Sequence, residues 1–463
     1  RDKIAEQVGI ISQNEIEIGA VANGADLLEI NPNIRIQKSQ GGGGSPVLRG
    51  FEANRVLIVV DGVRMNNAIY RSGHLQNAIT IDPHNIERVE VTFGSSSVGY
   101  GSDALGGVIR YYTKSPKLNS KNNLSQEFSS TFNSANLSFV NNANIELSYK
   151  NWGSFTSMSY SNFDDITIGK KRKHGFSKWG LTPYYSLNSR NEYNRIPTTS
   201  SRPNLQKNTG YDQLDVFQKF LFRLPSDMLL NVNLQYSESS DIDRYDKLME
   251  ERNGILRFSE WYYGPQKRFF FSPQLKFFLG KNWLKKGTLT AAYQNVEESR
   301  INRRFGSLNR SYQIENVDVY SINADFYGNV AQGHSLAYGL EWTHNKIQSR
   351  GYALDLVLNL ENIIGYSNRT MIPSRYPSDG SSASSFAGYL NWIHRANDRL
   401  TLNGGLRLTG SKIIARWNDS AQVDKLLSSV DLQSEALTYT FAMTYRPSEK
   451  WQINSLISSG FRN

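Results

Sequence analysis

The amino-acid sequence predicts an all-β transmembrane β-barrel preceded by a smaller mixed α/β domain. Three observations carry that expectation. From about residue 120 onward, strand-like segments have one apolar face and one small or polar face. Leu336, Tyr338, Leu340 and Trp342 alternate with Ala337, Gly339, Glu341 and Thr343, and Leu437, Tyr439, Phe441, Met443 and Tyr445 alternate with Thr438, Thr440, Ala442, Thr444 and Arg446. These segments run to about 10–14 residues, whereas about 5–6 is usual in soluble sheets. Their apolar faces end in aromatics such as Tyr236, Trp342 and Tyr445, as membrane-interface girdles do. Short turns at 224–227, 394–398 and 446–449 alternate with long polar loops near 163–211, 240–264, 348–384 and 413–434, the way an outer-membrane barrel distributes its periplasmic and external connections. A set of soluble β-sandwiches would share the alternation but not the strand lengths, the girdles or the strict order of turns.

Composition narrows the class further. The 463 residues contain 52 Lys+Arg against 42 Asp+Glu, no Cys, and 8 Trp, 25 Tyr and 22 Phe. That apolar content can bury a large core, which excludes general disorder. Without Cys there are no thiolate metal sites, disulfide scaffolds or Cys nucleophiles. No run approaches the ~18 apolar residues of a membrane helix, so a helical membrane protein is excluded too. The net charge of +10 is spread along the chain without a compact basic domain, and nucleic acid is not an expected partner.

Residues 1–116 read as the mixed domain. Residues 22–30 form a helix candidate, stopped by Asn31-Pro32-Asn33 because the residue before Pro is pushed out of the helical region. The apolar run 55–60 before Asp61-Gly62 signals a buried strand and a turn. Ile86 to Phe93 alternates, and Val108 to Thr113 is a further strand. The barrel region, 120–463, contains about 13 strands, near 124–133, 141–150, 153–164, 212–224, 227–239, 266–280, 286–298, 311–327, 334–347, 385–397, 399–412, 435–447 and 450–460. Single-chain bacterial barrels have even strand numbers, so an odd count predicts a chain that is a fragment of a longer barrel.

The ordered series Val8-Gly9-Ile10-Ile11-Ser12, Ala25-Asp26-Leu27-Leu28, Val47-Leu48-Arg49-Gly50-Phe51, Val56 to Arg64, Ile86 to Val91 and Tyr100 to Ile109 resembles the plug of TonB-dependent outer-membrane receptors. The resemblance covers nearly all of residues 4–116. It implies a 22-stranded barrel, of which these strands are part, with the plug folded inside the lumen. It further implies cargo captured between loops and plug apex, and work delivered by TonB and its inner-membrane energising complex through a short box upstream of the plug. Ser459-Gly460-Phe461-Arg462 looks like the start of the box found in a late external loop of haem and haemoglobin receptors. Tyr70-Arg71-Ser72-Gly73-His74-Leu75 resembles the Gly-His-Leu stretch of haem receptors, whose plug His ligates haem iron. His74 is therefore the candidate iron ligand, a role that suits a neutral imidazole. Tyr70 and Arg71 are read with it as ligand-binding residues. Phe93-Gly94 stands where the family usually has Arg-Gly, leaving Arg49 and Arg88 as candidates for the family's plug–barrel charge cluster, with Glu341 of the wall as partner.

Other motifs carry less. Gly41-Gly42-Gly43-Gly44-Ser45 has the composition of a flexible linker, but it runs without a break into the plug's Arg-Gly-Phe segment and lacks the Lys-Ser/Thr of a phosphate loop. Gly99 to Gly107 leads into a strand, so no helix N-terminus is present to hold phosphate. Lys170-Lys171-Arg172-Lys173-His174 is a basic run suited to lipopolysaccharide, to an acidic protein or simply to solvent. None of the six His forms an HExxH pair and no catalytic constellation is visible, so an enzyme is not expected.

The function expected is TonB-dependent import of a scarce iron complex, haem first, across the bacterial outer membrane. The same machine with a siderophore, cobalamin or oligosaccharide as cargo is the alternative, followed by a non-transporting barrel in an outer-membrane assembly. No resident cofactor is expected. Partners would be TonB, the iron complex, membrane lipid and lipopolysaccharide, with a surface lipoprotein as a further one.

Overall fold

The computed structural model describes residues 5–19, 21, 23–70, 78–95, 97–187, 191–417 and 428–462. Two sheets dominate these residues. The first, of five strands, runs in the order Gln7–Ser12, Ile86–Phe93, Gly107–Thr113, Val56–Val60, Val63–Arg64. Val56–Val60 lies parallel to Gly107–Thr113, and the other pairs are antiparallel. All five residues of Val56–Val60 are buried, as its unbroken apolar run requires. Asp61 (φ 47°) and Gly62 (φ 88°) both sit in the left-handed region, the pair of conformations that closes a two-residue hairpin with the right twist. Ile11, Leu27, Leu28, Leu48, Val89 and Ile109 are among the residues that fill the core beside this sheet.

The helix expected at 22–30 is corrected to a single 3-10 turn, Asp26–Ile30, because the Asn23 side chain draws the backbone N–H groups of Ala25 and Asp26 onto its Oδ1, each at 3.0 Å. A helix the pattern did not suggest, Gln13–Gly19, follows the first strand. It starts on a capping box in which the Ser12 N–H donates to Glu15 Oε2 (2.7 Å) and the Glu15 N–H to Ser12 Oγ (3.4 Å).

The second sheet has 16 strands, 13 of which form a continuous antiparallel path in sequence order from Asn123–Asn133 to Trp451–Ser458, while Ile242–Asp243, Phe258–Tyr263 and Asn362–Met371 pair beside that path. Its alternation has the expected sense. Leu340, Phe386, Leu406 and Phe441 stand exposed on the outside, while Lys219, Asn233, Gln294, Arg407 and Thr438 are buried on the inside. Lipid offers no partner to backbone amides, so a sheet with this greasy exterior satisfies them strand to strand.

Four strands run well past their expected bounds: Leu284–Arg304, Asn309–Ala331, His334–Asn359 and Ser429–Ser448 have 21, 23, 26 and 20 residues. Most of the stretch 348–384 is therefore not loop, since it holds the end of one strand and a further one, Asn362–Met371, folded back on it. Backbone pairing continues past the point where lipid enforces an apolar face, so the period-2 signal stops before the strand does.

Candidate functional site

The five-stranded domain is packed against the inner wall, and its Asp61-Gly62 turn is bonded to it at several points. Asp61 accepts from Thr113 N (3.0 Å) and Asn233 Nδ2 (2.8 Å), and pairs with Lys219 Nζ at 2.9 Å. Lys219 also donates to Thr113 Oγ1 at 2.6 Å, so its buried ammonium is fully engaged. Backbone carbonyls of the hairpin accept from three more wall strands, Gly62 O from Asn323 Nδ2 (3.3 Å), Asp61 O from Gln274 Nε2 (3.5 Å) and Arg64 O from Gln294 Nε2 (2.8 Å). The Gly41–Gly44 run lies in a slot where an added Cβ would collide with Thr209, Tyr211, Ile242 or Ala25. Its glycines permit this close approach.

A second charge cluster joins plug and wall, with different members from those expected. Glu341 pairs with Arg64 of the plug (3.5 Å) and with Arg407 of the wall (3.3 Å), and Arg64 also reaches Asp103 (3.2 Å). Arg49 and Arg88 do not reach Glu341. Arg49 donates to Gln7 and lies over the Phe93 ring (5.1 Å), and Arg88 pairs with Glu90 (3.0 Å) while covering Tyr112 (3.8 Å). Both are satisfied within the plug. Lys219 and Arg407 carried a legible signal, a charge on the polar face of a barrel strand, while Asp61 opens the predicted turn and Arg64 follows it.

Toward the long loops, the plug apex rises against the wall. Ala68 N–H donates to Asn345 Oδ1 (3.1 Å), and Tyr376 Oη–H donates to Ile69 O (2.6 Å). Ile69 packs on Val317, Val319 and Ile347. Further along the plug chain, Gln213 Nε2 donates to Ile79 O (2.6 Å). His74 and Arg71 lie outside the described residues. Tyr70 is described. It is half-buried, its carbonyl accepts from Asn54 Nδ2 (3.3 Å), and it lines a cavity of about 360 Å³ between plug apex and wall. Asn54, Asn67, Asp103, Ser381 and Tyr376 line the same cavity. Among the described residues no group of three or more His, Cys, Asp or Glu is placed to hold a metal ion.

A third contact lies beside the wall strand Trp152–Phe163. Asp82 Oδ2 accepts from Ser159 Oγ (2.6 Å) and from Asn85 Nδ2 (2.9 Å), and Asp82 Oδ1 meets His84 Nδ1 at 3.0 Å. Burial works to raise the Asp82 carboxyl, but the hydrogen bond and charge of His84 outweigh it and hold it below the usual carboxylate range. Burial likewise works to lower His84, and the same partner overrides it and raises the imidazole.

A wall with a greasy exterior, blocked by a domain bonded to its inner face, defines a plugged outer-membrane barrel. Comparison with known proteins agrees. Residues 1–108 match the TonB-dependent receptor plug domain, and residues 230–463 match the TonB dependent receptor-like β-barrel. The chain belongs to the TonB-dependent receptors, which are outer-membrane proteins of Gram-negative bacteria and not enzymes. It is 43% identical over 108 residues to a vitamin B12 transporter, BtuB, of Vibrio vulnificus (strain CMCP6), a match covering 23% of this chain and 17% of that protein. It is 37% identical over 107 residues to a hemin receptor of Yersinia pestis, covering 23% of this chain and 15% of that protein. The FrpB iron transporter from Neisseria meningitidis (F3-3 variant) superposes with a TM-score of 0.72 at 17% identity, covering 100% of this chain and 66% of that one. The matches thus span only part of these relatives.

Proposed function

We propose that the chain is the plug and part of the wall of an importer that takes up a scarce metal complex by TonB-driven work. The observation that carries this reading is the seam at Asp61 and Arg64, where ion pairs and hydrogen bonds fix the plug to the wall and block the lumen. A passive pore has no use for such a stopper, whereas an uphill importer needs one that closes the path until work is done on it.

Two finer readings of the cargo rest on different observations. Haem is supported by His74 in its Gly-His-Leu setting and by the likeness to a hemin receptor. Cobalamin is supported by the likeness to a vitamin B12 transporter over the plug. The test uses the full receptor containing this chain, purified in detergent. If haem is the cargo, haemin shows a Soret shift that His74→Ala abolishes, and the same substitution ends growth on haem as the iron source. A Soret band indifferent to His74→Ala removes the haem reading. Loss of uptake in a TonB-deficient strain is expected for every cargo, and uptake that persists there removes the import reading itself.

A further inference from the structure

We propose that the cavity between plug apex and wall selects an uncharged hydrogen-bonding group of the cargo, a primary amide or a hydroxyl, and disfavours a carboxylate. The inference rests on the import reading and adds the chemistry of the group that docks.

Three polar atoms on residues lining the cavity are buried without a partner: Asn54 Oδ1, Asn67 Nδ2 and Ser381 Oγ. Their residues are 5%, 8% and 9% exposed, so bulk water does not serve them well. Which end of each amide is free is fixed by the bond at the other end. Asn54 Nδ2 donates to the Tyr70 carbonyl, which leaves Oδ1, an acceptor, unpaired. Asn67 Oδ1 accepts from the Ile69 N–H at 3.1 Å, which leaves Nδ2, a donor, unpaired. A buried donor or acceptor left unmade is costly, and a wall strand and two plug positions that share this cost around one cavity point to a ligand that relieves it.

The set is one acceptor, one donor and one hydroxyl that can be either. A primary amide or a hydroxyl carries a donor and an acceptor and answers both asparagines. A carboxylate only accepts, so it would set its lone pairs against Asn54 Oδ1. An ammonium only donates and would leave Asn67 Nδ2 unpaired. Nor is a buried cation free to neutralise a carboxylate. The Arg64 guanidinium is occupied by the carbonyls of Tyr100 and Ser102 and by Asp103 and Glu341. Arg462, the other cation on the lining, is exposed. At about 360 Å³ the space is at the small end of ligand pockets, and it takes a side arm of a metal complex and not the whole.

The experiment measures binding to the full receptor in detergent by equilibrium dialysis. Its probes are cyanocobalamin, whose side arms are uncharged amides, ferric citrate, whose arms are carboxylates, and haemin. Cyanocobalamin is expected to bind more tightly than ferric citrate. Asn67→Asp keeps the bond to Ile69 but replaces the free donor with an acceptor, and should weaken cyanocobalamin binding about 10-fold or more. Asn67→Ser, which retains a donor, should lose much less. Ser381→Ala should weaken it about 3-fold, and it serves if Asn67→Asp fails to give the heat-modifiable band of a folded barrel. Tighter binding of ferric citrate, or cyanocobalamin binding indifferent to both Asn67→Asp and Ser381→Ala, overturns the inference and leaves the import reading standing. Absence of binding by all three probes likewise overturns the inference, while the import reading falls only if uptake persists in the TonB-deficient strain.

Discussion

Around the Asp61-Gly62 turn, the plug's own groups are met by the wall: the Asp61 carboxylate serves Thr113, Asn233 and Lys219, and three hairpin carbonyls each receive a wall amide. Further along the wall, toward the long loops, the plug apex leaves Asn54 Oδ1, Asn67 Nδ2 and Ser381 Oγ with none. The plug groups of the turn are met even where the far end of a wall amide, Asn323 Oδ1, is left over, whereas at the apex the plug's own Asn54 and Asn67 each keep an unmet atom. Paired groups resist separation, because each would be stranded if the plug withdrew alone. Unpaired groups hold nothing together and can gain only by meeting something else. The seam is built to hold and the cavity to receive.

The largest effect is expected at the seam. Lys219→Met removes the cation from Asp61 while keeping the aliphatic stem. Lys219 is 2% exposed and Asp61 18%, so an uncompensated carboxylate is left largely out of water. Removing one partner of such a pair costs about 3 kcal/mol. Hydrogen exchange of the Val56–Val60 and Gly107–Thr113 amides should accelerate by roughly 100-fold. Exchange equal to that of the parent protein would mean that the seam does not hold the plug. Glu341→Gln is expected to cost less, about 1–2 kcal/mol, because Asp103 still serves Arg64 while Arg407 loses its acid. A double-mutant cycle with Arg407→Gln should show the two changes to be non-additive.

Much of the barrel was legible because lipid imposes a period of two on every strand it touches. The strand expected at 212–224 is Tyr211–Arg223, and that expected at 385–397 ends at Arg395. The outer halves of Leu284–Arg304 and His334–Asn359 were not, since above the membrane neither face is obliged to be apolar. The local helix Gln13–Gly19 was written in the Ser12 and Glu15 capping box, but its single buried residue, Ile16, leaves almost no hydrophobic period to notice. The site was least legible. Asp61 and Lys219 are far apart in sequence and meet only because a turn of the plug reaches a particular wall strand. Arg49 and Arg88 look the same in sequence as Arg64, and which arginine meets Glu341 depends on how the plug is rotated in the lumen.

Asp82 and His84 make the hold of the wall on the plug depend on pH. The lowered carboxyl contributes stability above its unfolded value of about 4, lost as pH falls through the lower folded one. The raised imidazole contributes below its unfolded value of about 6.5, lost as pH rises through the higher folded one. Lys114 opposes the imidazolium, while Asp215 of the wall supports it. Resistance of the plug to urea, followed by limited proteolysis, should therefore be greatest between about pH 4 and 6.5 and decline on both sides. His84→Gln should flatten the alkaline limb. A parent profile that is level from pH 5 to 9 would show that this contact, unlike the Asp61 turn, does not hold the plug.

The smallest effect expected is the one that separates the two regions most cleanly. Ser381→Ala removes a hydroxyl that has no partner, so no bond is lost, and the methyl that replaces it needs no water. Urea stability should stay within about 0.5 kcal/mol of the parent and can rise. A comparable hydroxyl at the Asp82 contact behaves otherwise: Ser159→Ala strips a 2.6 Å bond from the Asp82 carboxylate and should cost about 1–2 kcal/mol. If both changes were equally costly, the Ser381 hydroxyl would be holding structure, and the distinction between a seam that grips and a cavity that waits would fail at its weakest point.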